Sequence, residues 1–212
     1  MSCCGRALET SPWLAKDIIK RGHEISAHSY RWEVHAHMDE NHERNIINQC
    51  VQTNRSVSGI RPVGWHTKSQ TSLNTRRLLV EEGGFLYDSN AYNDDLPYIV
   101  NVSGQNHIII PYAFDTNDMR FESGAGFVFA DDFSRYCIDA FDQLWTEGAK
   151  APKMMSVGLH LRIIGRPARI GGLEKLLYHM KNKGAVWFAR RDQIAHQWRK
   201  LSGLPPYGSE ID

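Results

Sequence analysis

Apolar and polar positions along the chain follow two periods, one close to 3.6 residues and one of short unbroken runs. Trp13, Leu14, Ile18 and Ile19 share one side of a helix that Ser11-Pro12 opens and Gly22 stops. HEISAH (23–28) reads as a short strand. From Asp39 to about Val57 the pattern is helical, with Ile46, Ile47, Cys50 and Val51 on one face and Gly59 as terminator. RPVGW (61–65) reads as a strand end. A helix follows from about Ser72 to Gly83-Gly84, then the strand FLYDS (85–89). The stretch 90–106 reads as loop, HIIIPY (107–112) as a strong strand, and ESGAG (122–126) as the flexible part of a long loop. DDFSRYCIDAFDQLWTEG is an amphipathic helix capped by Asp131 or Asp132. KMMSVGLH (153–160) is a strand, 171–184 a helix, AVWFA (185–189) a strand and 190–203 a final helix.

Six strands alternating with helices predict parallel βαβ units. An open doubly wound sheet and a barrel both fit that pattern. No glycine-rich phosphate loop follows any strand, which argues against nucleotide binding. With 212 residues, one domain over 1–212 is the expectation.

Composition narrows the classes. A net charge of +1 selects neither nucleic acid nor an anionic membrane. No apolar run is long enough to span a bilayer, and no signal peptide is visible in MSCCGRALETSPW. Cys3, Cys4, Cys50 and Cys137 lack zinc-finger spacing and read as reduced thiols of a cytoplasmic protein. The ten histidines are more informative, because imidazole serves acid–base and metal chemistry near neutral pH. His28, Asp88, Asp115 and His160 fall at or just after strand ends, where parallel α/β folds gather their chemistry. A helix cap or a loop hydrogen bond would explain any one of them alone.

The segments GHEISAHSYRW (22–32), RPVGW (61–65), LYDSNAYNDDLPY (86–98), IIPYAFDTNDMRF (109–121) and KMMSVGLHLRIIGRP (153–167) resemble, in order, the motifs of the polysaccharide deacetylase (NodB-type) superfamily. DDLPY and DTNDMRF resemble its metal-independent allantoinase branch. The resemblance implies an α/β fold, a distorted (β/α) barrel, and hydrolysis of a carbon–nitrogen bond. Metal-dependent members carry two histidines four residues apart in the second motif. Here the first is His28, but Trp32 holds the later place, and an indole has no lone pair for a metal. The metal-binding Asp of the first motif is not found either, so no metal and no other cofactor is expected. A divalent metal such as zinc would be required if the chain were a deacetylase. His35, His37 and His42 read as a solvated polar loop, and His23, His179 and His196 as structural. His66, beside Trp65, is not demanded by the resemblance.

Ring opening of a hydantoin needs a base for water, donors for the developing oxyanion and an acid for the leaving nitrogen. The resemblance makes His160 the acid. His28 would orient water or polarise a carbonyl, and Arg61 would hold carboxylates or substrate oxygens. Trp32 and Trp65 would wall a planar ureide. Asp94, Asp95, Asp115, Asn117 and Asp118 would accept its N–H groups. The plainer alternatives are an ion-pair brace for Arg61, core packing for both tryptophans and a turn cap for Asp118. The family's general base lies in an Asp motif at the end of the first strand, and none precedes Gly22. Met1 is therefore expected to fall inside the domain, leaving an incomplete barrel that lacks its first strand–helix unit and whose activity is in doubt. The expected partner is a small ureide, with homo-oligomers possible. A polysaccharide N-deacetylase and a non-catalytic binding fragment are the alternatives.

Overall fold

A computed structural model describes residues 1–124 and 126–208. The predicted flexible loop ESGAG includes Ala125, which lies outside the described residues. The chain divides into two compact units. The first comprises Met1–Ala91, Pro97–Ile110 and the segment from Ala189; the second comprises Tyr92–Leu96 and Pro111–Phe188.

The first unit is a six-stranded sheet with its helices. In chain order these are β1 (Ser2–Cys3), α1 (Gly5–Thr10), α2 (Pro12–Lys20), β2 (Ser26–Ala27), α3 (Glu40–Ser58), β3 (Gly64–Trp65), α4 (Thr75–Glu82), β4 (Tyr87–Asp88), β5 (Tyr98–Val102), β6 (Gln105–Ile109) and α8 (Arg191–Leu201). The strand order is β1-β2-β3-β4-β6-β5, parallel except for the β5–β6 pair. Among the described residues the sheet does not close, and β1 and β5 are its edges.

The predicted caps form where short-range chemistry specifies them. Asp39 accepts the N–H groups of Asn41 and His42 at 3.0 and 3.2 Å, and Gly59 closes α3 at φ 76°. Pleating then decides which residues face the helices. Ala27 pairs with Trp65, and Trp65 with Asp88. Ala27 and Trp65 pack with Ile47, Cys50 and Val51 of α3 and with Leu78 and Leu79 of α4. Their neighbours face the other way. Gly64 lies against the Tyr87 ring, and Tyr87 donates to Glu24 at 2.7 Å.

Ahead of the first predicted helix, β1 pairs with β2 and α1 follows it. Two expectations change here. The supposed loop 90–106 contains β5, joined to β6 by Ser103-Gly104 with φ of 53° and 86°. Two successive positive φ values are the conformation a two-residue hairpin requires. AVWFA forms no strand; Trp187 and Phe188 are exposed.

The second unit is helical. It holds a 3₁₀ turn (Asp118–Phe121), α5 (Ala130–Gly148), α6 (Leu161–Ile164) and α7 (Pro167–Lys183). Phe127, Phe133, Cys137 and Phe141 form a core with Ile164, Leu176 and Met180. Asp132 accepts the Val128 and Phe129 N–H groups ahead of α5, while Asp131 pairs with Lys175. KMMSVGLH, expected as a strand, contributes only a parallel bridge between Gly158 and Asn117.

Candidate active site

In the second unit the Asn117–Gly158 bridge fixes two loops side by side. Gly158 N–H donates to Thr116 O at 2.8 Å, and Asp118 N–H to Gly158 O at 2.9 Å. The bridge sets Asp118 beside His160. The His160 ring meets Asp118 Oδ1 through Nδ1 at 2.6 Å, and its backbone N–H donates to Oδ2 at 2.6 Å. Ile164 N–H also donates to Oδ2 at 3.2 Å. Asp118 is fully buried, and 23% of the His160 side chain is exposed. A carboxylate only accepts, so Nδ1 carries the proton and Nε2 is the ring atom left to meet a substrate. The three hydrogen bonds on this buried carboxylate hold the imidazole and α6 (Leu161–Ile164), so it orients the ring, as in other carboxylate–histidine pairs.

Asn117 also departs from expectation. Its amide donates to Tyr112 Oη at 3.2 Å and accepts Met119 N–H at 2.9 Å, so both ends serve the loop. Asp94, Asp95 and Asp115 do come together. They line one cleft of about 350 Å³ with Tyr92, Tyr112 and Phe114. Asp95 pairs there with Lys153 at 2.9 Å, which lowers its pKa, and Asp94 accepts the N–H groups of Asp95 and Leu96.

In the first unit His28 follows β2 and His66 follows β3. The His28 Nδ1 meets the His66 carbonyl at 2.5 Å, and the two rings lie edge to face at 5.1 Å. The carbonyl fixes the Nδ1–H tautomer of His28. His66, which the family resemblance does not demand, is thus the immediate neighbour of His28.

Trp65, proposed as a wall, is fully buried among α3 and α4 and donates to Thr67 Oγ1 at 2.8 Å. It is core, because the pleat that turns His66 one way turns Trp65 the other. Trp32 is 44% exposed, with Lys68 Nζ 4.3 Å above its ring. Arg61 precedes β3, at the end opposite His66. It pairs with Glu82, donates to Gly84 O and lies over Phe85, so it braces the end of α4 instead of serving the site. Asp88 is buried against α4, where Arg76 at 2.8 Å and His107 at 3.1 Å bond its carboxylate. Burial pushes its pKa up, but these two partners outweigh that and hold it at about 2. His35 corrects the solvated-loop expectation. It is fully buried and bonds Glu43 at 2.8 Å and Ser29 at 3.0 Å.

Among the described residues no three His, Cys, Asp or Glu side chains are grouped as ligands, and Trp32 supplies no donor in the second-motif position.

The chain thus carries an open, mostly parallel α/β sheet and a histidine held by a buried carboxylate. The relatives make the class specific. No family model matches the chain. A protein of Schizosaccharomyces pombe described as a putative polysaccharide deacetylase is 38% identical over 96% of this chain and 68% of its own length. The solved structure of Puue allantoinase is 45% identical with a TM-score of 0.91, covering 95% of this chain and 67% of that one. A probable polysaccharide deacetylase from Pseudomonas aeruginosa PAO1 is 43% identical with a TM-score of 0.90, covering 96% and 70%. The chain belongs to the polysaccharide deacetylase family, hydrolases of carbon–nitrogen bonds, and its open sheet is that family's distorted barrel, incomplete. It spans about two thirds of these relatives' length.

Proposed function

We propose that this chain serves the hydrolytic opening of a small cyclic ureide, with His160 as the proton donor to the leaving nitrogen. The observation that carries the reading is the Asp118–His160 pair. The buried carboxylate holds Nδ1 protonated, so a protonated ring delivers its proton from Nε2. It also stabilises the imidazolium before transfer and costs no reorientation at that moment. His28, held as the Nδ1–H tautomer by the His66 carbonyl, has in its neutral form an accepting Nε2, which would take a hydrogen bond from water and orient it.

A ureide is preferred to an acetylated sugar for two reasons. Trp32 stands where metal-dependent deacetylases place a second histidine. The resemblance to Puue allantoinase is high in both identity and shape. The cytoplasmic expectation fits a soluble metabolite, and no helix of the described residues is long and apolar enough to cross a membrane. The second reading, a polysaccharide N-deacetylase, is favoured by the descriptions of the fission yeast and Pseudomonas relatives. Assays of allantoin and of N-acetylglucosamine oligomers, each with and without chelator, separate the two. Ureide opening that survives chelation supports the first. Chelator-sensitive acetate release supports the second.

A further inference from the structure

The buried His35 and Glu43 take no part in the chemistry above, yet their hydrogen bonds run from Glu43 through His35 to Ser29, the residue next to His28. Glu43 is fully buried on α3 and accepts from His35, Ser72 and Thr75. Burial raises its pKa, but these hydrogen bonds outweigh that and hold the carboxyl below its usual range. Because a carboxylate only accepts, His35 Nδ1 is the donor, and in the neutral ring Nε2 accepts the Ser29 hydroxyl at 3.0 Å, nearer than that hydroxyl's other acceptor, Glu33, at 3.5 Å.

Ser29 is the residue that turns the chain off β2 immediately after His28. Its φ of 62° is left-handed, a conformation an L-residue holds only when its surroundings impose it. The backbone around it is gripped on each side. Cys4 Sγ donates to His28 O at 3.2 Å, Cys50 Sγ to Ser29 O at 3.3 Å, and Arg6 N–H to Tyr30 O at 2.9 Å. The hydroxyl–His35 bond is the side-chain part of that grip.

We propose that His35 is a positioning residue for His28, acting through the Ser29 hydroxyl, with Glu43 as its anchor. The bond fixes the turn at Ser29. The turn fixes where β2 ends and so keeps His28 Nδ1 on the His66 carbonyl. The idea rests on His28 being a working group of the site, but its test does not need turnover.

The test is the long-range proton–nitrogen spectrum of the imidazoles in the full chain. Wild type should show His28 as one tautomer, with widely separated nitrogen signals. Ser29→Gly keeps the left-handed turn unstrained and leaves His35–Glu43 intact, but removes the hydroxyl. It should narrow the His28 separation by about half as the second tautomer becomes populated. His35→Phe should do the same. Thr75→Val removes one donor to Glu43, lowers stability and should leave the His28 signals unchanged. If His35→Phe does not fold, Ser29→Gly decides. An unchanged His28 spectrum in Ser29→Gly, or equal narrowing in Thr75→Val, would overturn the proposal. Absence of ureide turnover in the wild-type protein, with the spectra behaving as stated, would count against the proposed function and not against this relay.

Discussion

His160 gives both its ring Nδ1 and its own backbone N–H to the same buried carboxylate, Asp118, each at 2.6 Å. Two bonds from one residue to one carboxylate fix the ring plane as well as the tautomer. Asp118→Asn keeps the shape but places a donor or a neutral acceptor opposite Nδ1, so the wrong tautomer becomes favourable. Turnover should fall about 10²–10⁴-fold with KM little changed, as expected for removal of general acid catalysis. Steady-state kinetics check this; a KM effect with kcat intact would assign Asp118 to substrate binding.

The frame behind that pair tolerates no added atom. A Cβ on Gly158 would lie 2.3 Å from Asn117 Nδ2 and 2.4 Å from Tyr112 Oη. Gly158→Ala should cost about 1–3 kcal/mol through overpacking and also lower kcat, because the Asn117–Gly158 bridge sets Asp118 beside His160. Urea denaturation and activity on the same preparation measure both. Unchanged stability would show that the loops give way.

Trp65 and Trp32 should separate cleanly. Trp65→Ala opens a cavity in the core and should cost about 3–5 kcal/mol. Trp32→Ala should cost well under that, since the ring is 44% exposed and contacts Lys68 from outside. If Trp32 walls the ureide, its loss raises KM while leaving the denaturation midpoint nearly fixed.

Asp88 sets an acid limit on stability. Its carboxyl titrates at about 2 in the folded chain, against 3.8 ordinarily. The folded value is the depressed one, so the contribution is complete above 3.8 and is lost as pH falls through about 2. The shift corresponds to about 2 kcal/mol. Asp88→Asn should flatten the decline in stability between pH 4 and 2 while lowering stability at pH 7. A decline of unchanged steepness would place the acid sensitivity elsewhere.

Much of this was legible in the chain, and the failures have common physical causes. Caps and terminators are local, so Asp39, Gly59 and Gly83 marked helix ends correctly. The β5–β6 hairpin was also written locally, in alternating residues around Ser103-Gly104, but the polar character of 90–106 masked it. The site was harder. His160 and Asp118 stood out separately, but a partner 42 residues away is set by tertiary structure, so the carboxylate was taken for a substrate contact. Trp65 misled because a strand covered on both faces shows no polar alternation to mark which way each residue points. Arg61 misled because proximity in sequence to a strand does not say which end of it a side chain serves. His35 looked solvated because Glu43 and Ser29, which satisfy it, are brought together only by the fold.

The central claim is that a carboxylate-held histidine opens a cyclic ureide without a metal. Allantoin turnover by the wild-type protein and by Asp118→Asn, each with excess chelator, tests it most directly. Wild type should turn allantoin over at a rate that chelation leaves unchanged and that Asp118→Asn lowers at least about a hundredfold. Turnover by Asp118→Asn equal to wild type, or acetate release from N-acetylglucosamine oligomers in place of ureide opening, would contradict it.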